Sequence, residues 1–177
     1  VNALSSEGAE KVKESLAQKG VVTSEELGQA EFSIRSKTTN GITTYSKVEN
    51  ATGNTIASLT VDQGVTLASD GFRDDLLSLS EYASGRQVRV ISGYRSQSRQ
   101  NQLRTSGNTR AARTSQHTVG SAADIYINGL NEIQAGATTY NSGLFNRVNV
   151  YSSSGAIHVD QRQGYSGALY YDWRRLQ

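Results

Sequence analysis

The chain contains no cysteine, no proline and no methionine among its 177 residues. Without cysteine there can be no disulfide, thiolate zinc site, iron–sulfur cluster or cysteine nucleophile. Any metal must be held by His, Asp, Glu or other oxygen donors. A cysteine-free metal protein also suits life outside the cytosol, where a stray thiol is a liability. A chain of this length with average composition would carry about nine prolines, and their absence has no evident physical reason. The missing methionine, with Val1 in first place, points to a matured protein or to a piece of a longer one. Hydrophobic residues reach only 36% and charged residues 19%; the balance is largely Ser, Thr, Gly, Asn and Gln. Net charge is +2, and the apolar residues are patterned, so this is a folded chain with a polar surface. No apolar run reaches the ~18 residues of a membrane span, and no charged-then-apolar leader pattern opens the sequence.

Hydrophobic periodicity divides the chain. Ala9, Val12 and Leu16 recur at helical spacing between Ser6 and Gly20, which predicts a short amphipathic helix. Thr23 and Glu26 form a capping-box pattern for a second. The period then changes to two. Phe32 and Ile34, then Ile42, Thr44 and Ser46, alternate around Asn40-Gly41, the strongest two-residue hairpin signal. A third strand follows Gly53-Asn54, so residues 31–61 read as an antiparallel meander. Phe72, Leu76 and Leu79 predict a helix ending near Gly85. Strands are expected at 87–92, 123–127, 148–151 and 157–161, and helices at 98–103 and 130–137. The aromatic segment 169–173 is expected to pack on a sheet edge. Without strict strand–helix alternation the class is α+β. Two units are expected: an N-terminal extension over 1–62 and a catalytic domain over 63–177.

The only two histidines, His117 and His158, each stand beside small residues and an aspartate. His117 opens Ser115-Gln-His117-Thr-Val-Gly120-Ser-Ala122-Ala-Asp124, and His158 lies in Ala156-Ile-His158-Val-Asp160. They can be read as ordinary polar residues of loops and strands. They can equally be read, with Asp124, as two imidazoles and a carboxylate, a three-ligand set that leaves zinc an open position for water. In the second reading Gly120 and Ala122 remove bulk between ligands, and the strands hold Asp124 and His158 in direction.

The pattern Ser-x-His-x-x-Gly-x-Ala-x-Asp, followed by a strand bearing His-Val-Asp, resembles the M15 peptidases. These are zinc D-Ala-D-Ala carboxypeptidases and peptidoglycan endopeptidases that share their fold with the hedgehog signalling domain. Ser92-Gly93-Tyr94-Arg95-Ser96 adds a third motif in the family's order, and the resemblance covers about residues 64–162. It implies a central mixed or antiparallel sheet with helices on one side, a Zn2+ cofactor, and His117, Asp124 and His158 as ligands. It makes Arg95 a substrate-side cation that binds peptide oxygens or steadies the oxyanion; the plain alternative is a surface salt bridge. Many relatives carry a proton-moving residue two or three places before the last ligand, where this chain has Gly155 and Ala156. Asp160 lies two residues after His158 on the same strand face. It is therefore the candidate general base or, failing that, the partner that orients a ligand; a structural acceptor is the plain alternative. Glu132 is a more distant candidate.

The resemblance implies peptidoglycan stem peptides as substrate and a secreted, periplasmic or cell-wall location. A toxin domain released from a longer delivery protein, with a dedicated immunity partner, fits the same residues. An inactive zinc-binding module that binds wall peptide or a protein is the alternative function. Between residues 86 and 115 lie seven arginines and no acid. With only Tyr94 interleaved, this stretch reads as a solvated face or a cradle for substrate carboxylates, and nucleic acid is not an expected partner.

Overall fold

The computed structural model describes residues 31–94, 97–106, 121–150, 155–161 and 168–171. The helices expected at 6–18 and 24–29 lie outside these. Strands β1 (Phe32–Thr39), β2 (Ile42–Glu49) and β3 (Thr55–Val61) form the expected meander. Asn40 and Gly41 take φ of 52° and 77°, the paired left-handed conformation that a two-residue hairpin turn requires.

Helix α1 (Asp70–Tyr82) follows, capped by Ser69, whose hydroxyl accepts from Phe72 N at 3.1 Å. Its apolar face buries Phe72, Leu76, Leu77 and Leu79. Ser80 is also fully buried and satisfied: its Oγ accepts from Ser58 N at 2.9 Å and donates to Arg86 O at 2.7 Å. It thus pins the helix to β3 and to the turn beyond, where Ser84 and Gly85 both have positive φ. Strand β4 (Val88–Ser92), helix α2 (Gln97–Thr105) and strand β5 (Ala122–Ile127) come next. Helix α3 (Glu132–Ser142) starts in a reciprocal Asn131–Gln134 capping box. It runs past the expected end at 137 and stops at Gly143, whose φ of 69° is the left-handed C-cap. Strands β6 (Arg147–Val150), β7 (Ile157–Asp160) and β8 (Ala168–Tyr171) complete the order.

Among the described residues all eight strands form one sheet in the order β1-β2-β3-β4-β5-β7-β6-β8. The β3–β4 and β6–β8 pairs are parallel and the others antiparallel. The class is α+β, as expected, and the C-terminal aromatic segment supplies the edge strand β8. The meander is not a separate layer: Ala57, Leu59 and Val61 of β3 share one core with α1, α3 and strands β4 to β7. Within that core Phe72 and Phe145 meet edge to face, with ring centroids 5.9 Å apart. One face of the sheet is therefore committed to apolar packing, and the polar residues that alternate along β5, β6 and β7 are left on the other.

Gly93, just beyond β4, is buried against the Thr66 backbone and the Val65 side chain, and Tyr94 N donates to Thr66 O at 2.7 Å. A Cβ at this position would overlap the Thr66 carbonyl oxygen. Gly93→Ala should therefore cost about 1–3 kcal/mol, the usual range for overpacking. Chemical denaturation should read this as a lower midpoint with an unchanged slope.

Candidate metal and catalytic site

The site is a consequence of register. Asp124 of β5 lies directly across from His158 of β7, which lies directly across from Asn149 of β6. One step along, Ala122, Asp160 and Arg147 form a parallel row. Paired residues share a face, so these six positions line the side of the sheet opposite the core. Asp124 is the third residue of its strand.

On β4 the register shifts between Val90, opposite Ile125, and Ser92, opposite Asp124. Two steps on β4 thus match one on β5, a bulge at Ile91. Simple alternation would send Ser92 to the core side with Val88 and Val90. The bulge turns it to the Asp124 side.

His158 is 7% exposed and Asp160 is fully buried. His158 Nε2 donates to Asp160 Oδ2 at 2.8 Å, and His158 Nδ1 lies 3.1 Å from Asp124 Oδ1. Arg147 Nη1 stands 4.0 Å from Asp160 Oδ2 and offsets part of its charge. Burial by itself pulls the His158 pKa down. The hydrogen bonds to Asp124 and Asp160 outweigh it and hold the imidazole above its ordinary 6.5. The i, i+2 spacing on a strand thus brings His158 and Asp160 into direct contact.

This arrangement fits a metal ligand. With the buried Asp160 carboxylate to hold a proton on Nε2, Nδ1 can exchange its hydrogen bond to Asp124 for a metal that Asp124 would also bind, the usual arrangement behind a metal-bound histidine. Among the described residues no three His, Asp or Glu side chains are arranged to hold a metal; His117, the remaining expected donor, lies outside them, as does Arg95. Glu132 opens α3, the helix whose Ala135 belongs to the core on the opposite face of the sheet. Of the basic stretch, Arg89 is engaged by Asp62 at 2.7 and 2.8 Å, and Arg86 donates to Asn128 O at 3.2 Å. The bond to Arg89 holds the Asp62 carboxyl below its ordinary range.

Sequence reasoning did not single out Arg147 or Asn149, and gave Ser92 only as the first residue of a motif. Alternation along β6 was a usable signal for the first two, since Val148 and Val150 are plainly core residues. Which strand they would face was not readable.

The family model described as peptidoglycan L,D-endopeptidase MepK, of the M15 peptidases, matches residues 69–164. The match begins at the Ser69 cap of α1 and runs past β7, so it contains all three motifs and leaves β1 to β3 outside. No curated protein and no solved structure matches the chain. With more than half of its length covered, and with Asp124, His158 and Asp160 gathered on one face of the sheet, the chain belongs to the M15 family of zinc peptidases.

Proposed function

We propose that this protein hydrolyses a peptide bond in bacterial peptidoglycan, with a zinc ion held by His117, Asp124 and His158. The observation that carries the reading is the His158 ring, with Nδ1 beside Asp124 and Nε2 bonded to the buried Asp160. A zinc ion held there supplies the Lewis acidity that activates a water and polarises the scissile carbonyl. The chain's own residues do the rest. Asp160 orients the imidazole and keeps its proton on Nε2. Full burial and the bond to His158 favour this positioning role over that of a general base. In this reading Arg95 offers its cation to the oxygen that gains charge in the transition state. The family description favours cleavage at an L,D bond over removal of a terminal D-Ala.

The site of action in this reading is the periplasm or cell wall. No described helix is long and apolar enough to cross a membrane. Delivery as an antibacterial toxin domain, with an immunity protein as partner, remains part of the proposal. So does the division into an extension over 1–62 and a catalytic unit over 63–177. In that division β1 to β3 belong to the extension and widen the sheet that carries the site.

A second reading, a groove that binds wall peptide without cutting it, is favoured by one observation. Gly155 and Ala156, just before His158, carry no group that can move a proton. One experiment separates the two. Purified peptidoglycan is incubated with the zinc-loaded protein, with and without chelator, and the products are identified by mass spectrometry. The peptidase reading expects shortened stem peptides that vanish with chelator, and free D-Ala would redirect it to a carboxypeptidase. Absence of any chelator-sensitive product would sink it.

A further inference from the structure

Asn149 occupies the site face of β6, directly across from His158 and on the side away from Asp124. Its neighbours Val148 and Val150 are fully buried in the core, which fixes the strand's orientation. Its Oδ1 is buried and has no hydrogen-bond partner. An unanswered buried acceptor destabilises a fold, and strands ordinarily fill such positions with β-branched or aromatic residues. The groups around it explain why none answers. Both nitrogens of His158 are engaged, with Asp124 and Asp160, and the carboxylates themselves only accept. A bound molecule can supply the missing donor.

We infer that Asn149 is a substrate-binding residue whose carboxamide receives a main-chain N–H of the peptide held over the site. The same group carries an N–H2 that can donate to a peptide carbonyl, so it matches a peptide unit in both senses. Strands lie about 4.8 Å apart, which places Asn149 one strand beyond His158 and roughly two from Asp124. It therefore meets a peptide unit flanking the scissile bond and contributes to positioning rather than to bond cleavage. The inference rests on the peptidase reading for its substrate class.

The test uses Asn149→Leu, which removes both polar groups at similar volume, and Asn149→Val, which suits a strand. The probe is a disaccharide–peptide fragment released from peptidoglycan by a muramidase. Its binding to the zinc-loaded proteins is measured by calorimetry and its cleavage by steady-state kinetics. Both variants should retain zinc and a thermal midpoint equal to or above the parent's. Kd and KM should each rise about tenfold, the factor that corresponds to 1.4 kcal/mol, with kcat little changed. Unchanged Kd and KM in both variants, or a lowered midpoint with unchanged Kd, would overturn the assignment and leave Asn149 a structural residue. Parent protein that binds the fragment without cutting it would sink the peptidase reading alone; weaker binding by the variants would still support Asn149. Parent protein that does neither would sink both.

Discussion

Asp124→Ala and His158→Ala should each abolish stoichiometric zinc binding and all chelator-sensitive activity on peptidoglycan. The loss should exceed the roughly 10–100-fold that removing an outer partner of a metal ligand costs, because on the proposed ligand set each variant deletes a donor. A thermal scan gives a readout independent of turnover. A ligand present at 100 times its Kd stabilises the folded state by about 2.7 kcal/mol. In a domain of this size that is a rise of about 5–10 °C. The parent protein should show this rise on adding zinc, and neither variant should. The apo forms should also differ. His158→Ala leaves Asp160, a fully buried carboxylate, without its 2.8 Å donor. Asp124→Ala removes one acceptor from a ring that keeps the other. The first should therefore be the less stable apo protein, in line with the cost of leaving a buried charge unpaired. Stoichiometric zinc in both variants, measured by elemental analysis, would refute the ligand assignment.

Asp160→Asn should lower zinc affinity by about 10–100-fold while the protein still folds. The amide oxygen can still accept from His158 Nε2 across the present 2.8 Å, so ring orientation is largely kept. What is lost is the negative charge that raises the imidazole's basicity. Asp160→Ala removes the acceptor as well and opens a hole where the side chain is now fully buried. It should cost about 3–5 kcal/mol, as expected when one partner of a buried pair is deleted. The pair of measurements distinguishes the two roles considered for this residue. Loss of a general base lowers kcat and leaves zinc affinity unchanged. Loss of a positioning partner lowers zinc affinity, and saturating zinc restores much of the rate. A collapse of kcat in Asp160→Asn at saturating zinc would return Asp160 to the role of base.

Much of the fold was legible because its signals are local. Asn40-Gly41 takes the two positive φ values that its composition suggests. Ser69 and Phe72 to Leu79 give helix α1, and alternating residues give β2 and β3. Each follows from turn chemistry or periodicity within about a dozen residues of chain. Helix α3 extends past the expected 137, because its end depends on Gly143 adopting a left-handed C-cap. The site was legible in its residue types: with two histidines and no cysteine, few ligand sets are available. The contact between His158 and Asp160 follows from strand geometry alone, since residues two apart share a face.

Pairing between distant strands could not be read in this way. Nothing local to β5 or β7 says that Asp124 stands opposite His158, 34 residues later. Register is set by how the core faces of β4 to β7 interlock against α1 and α3, and that is a property of the packed whole. The same holds for the bulge at Ile91, which turns Ser92 away from the side that its alternation with Val88 and Val90 implies. It holds as well for the buried, unanswered Oδ1 of Asn149. By itself the sequence determined that a metal here would be held by imidazole and carboxylate, and which strands and turns would present these groups. The tertiary structure decided which of them meet, because only the assembled sheet aligns side chains that lie far apart along the chain.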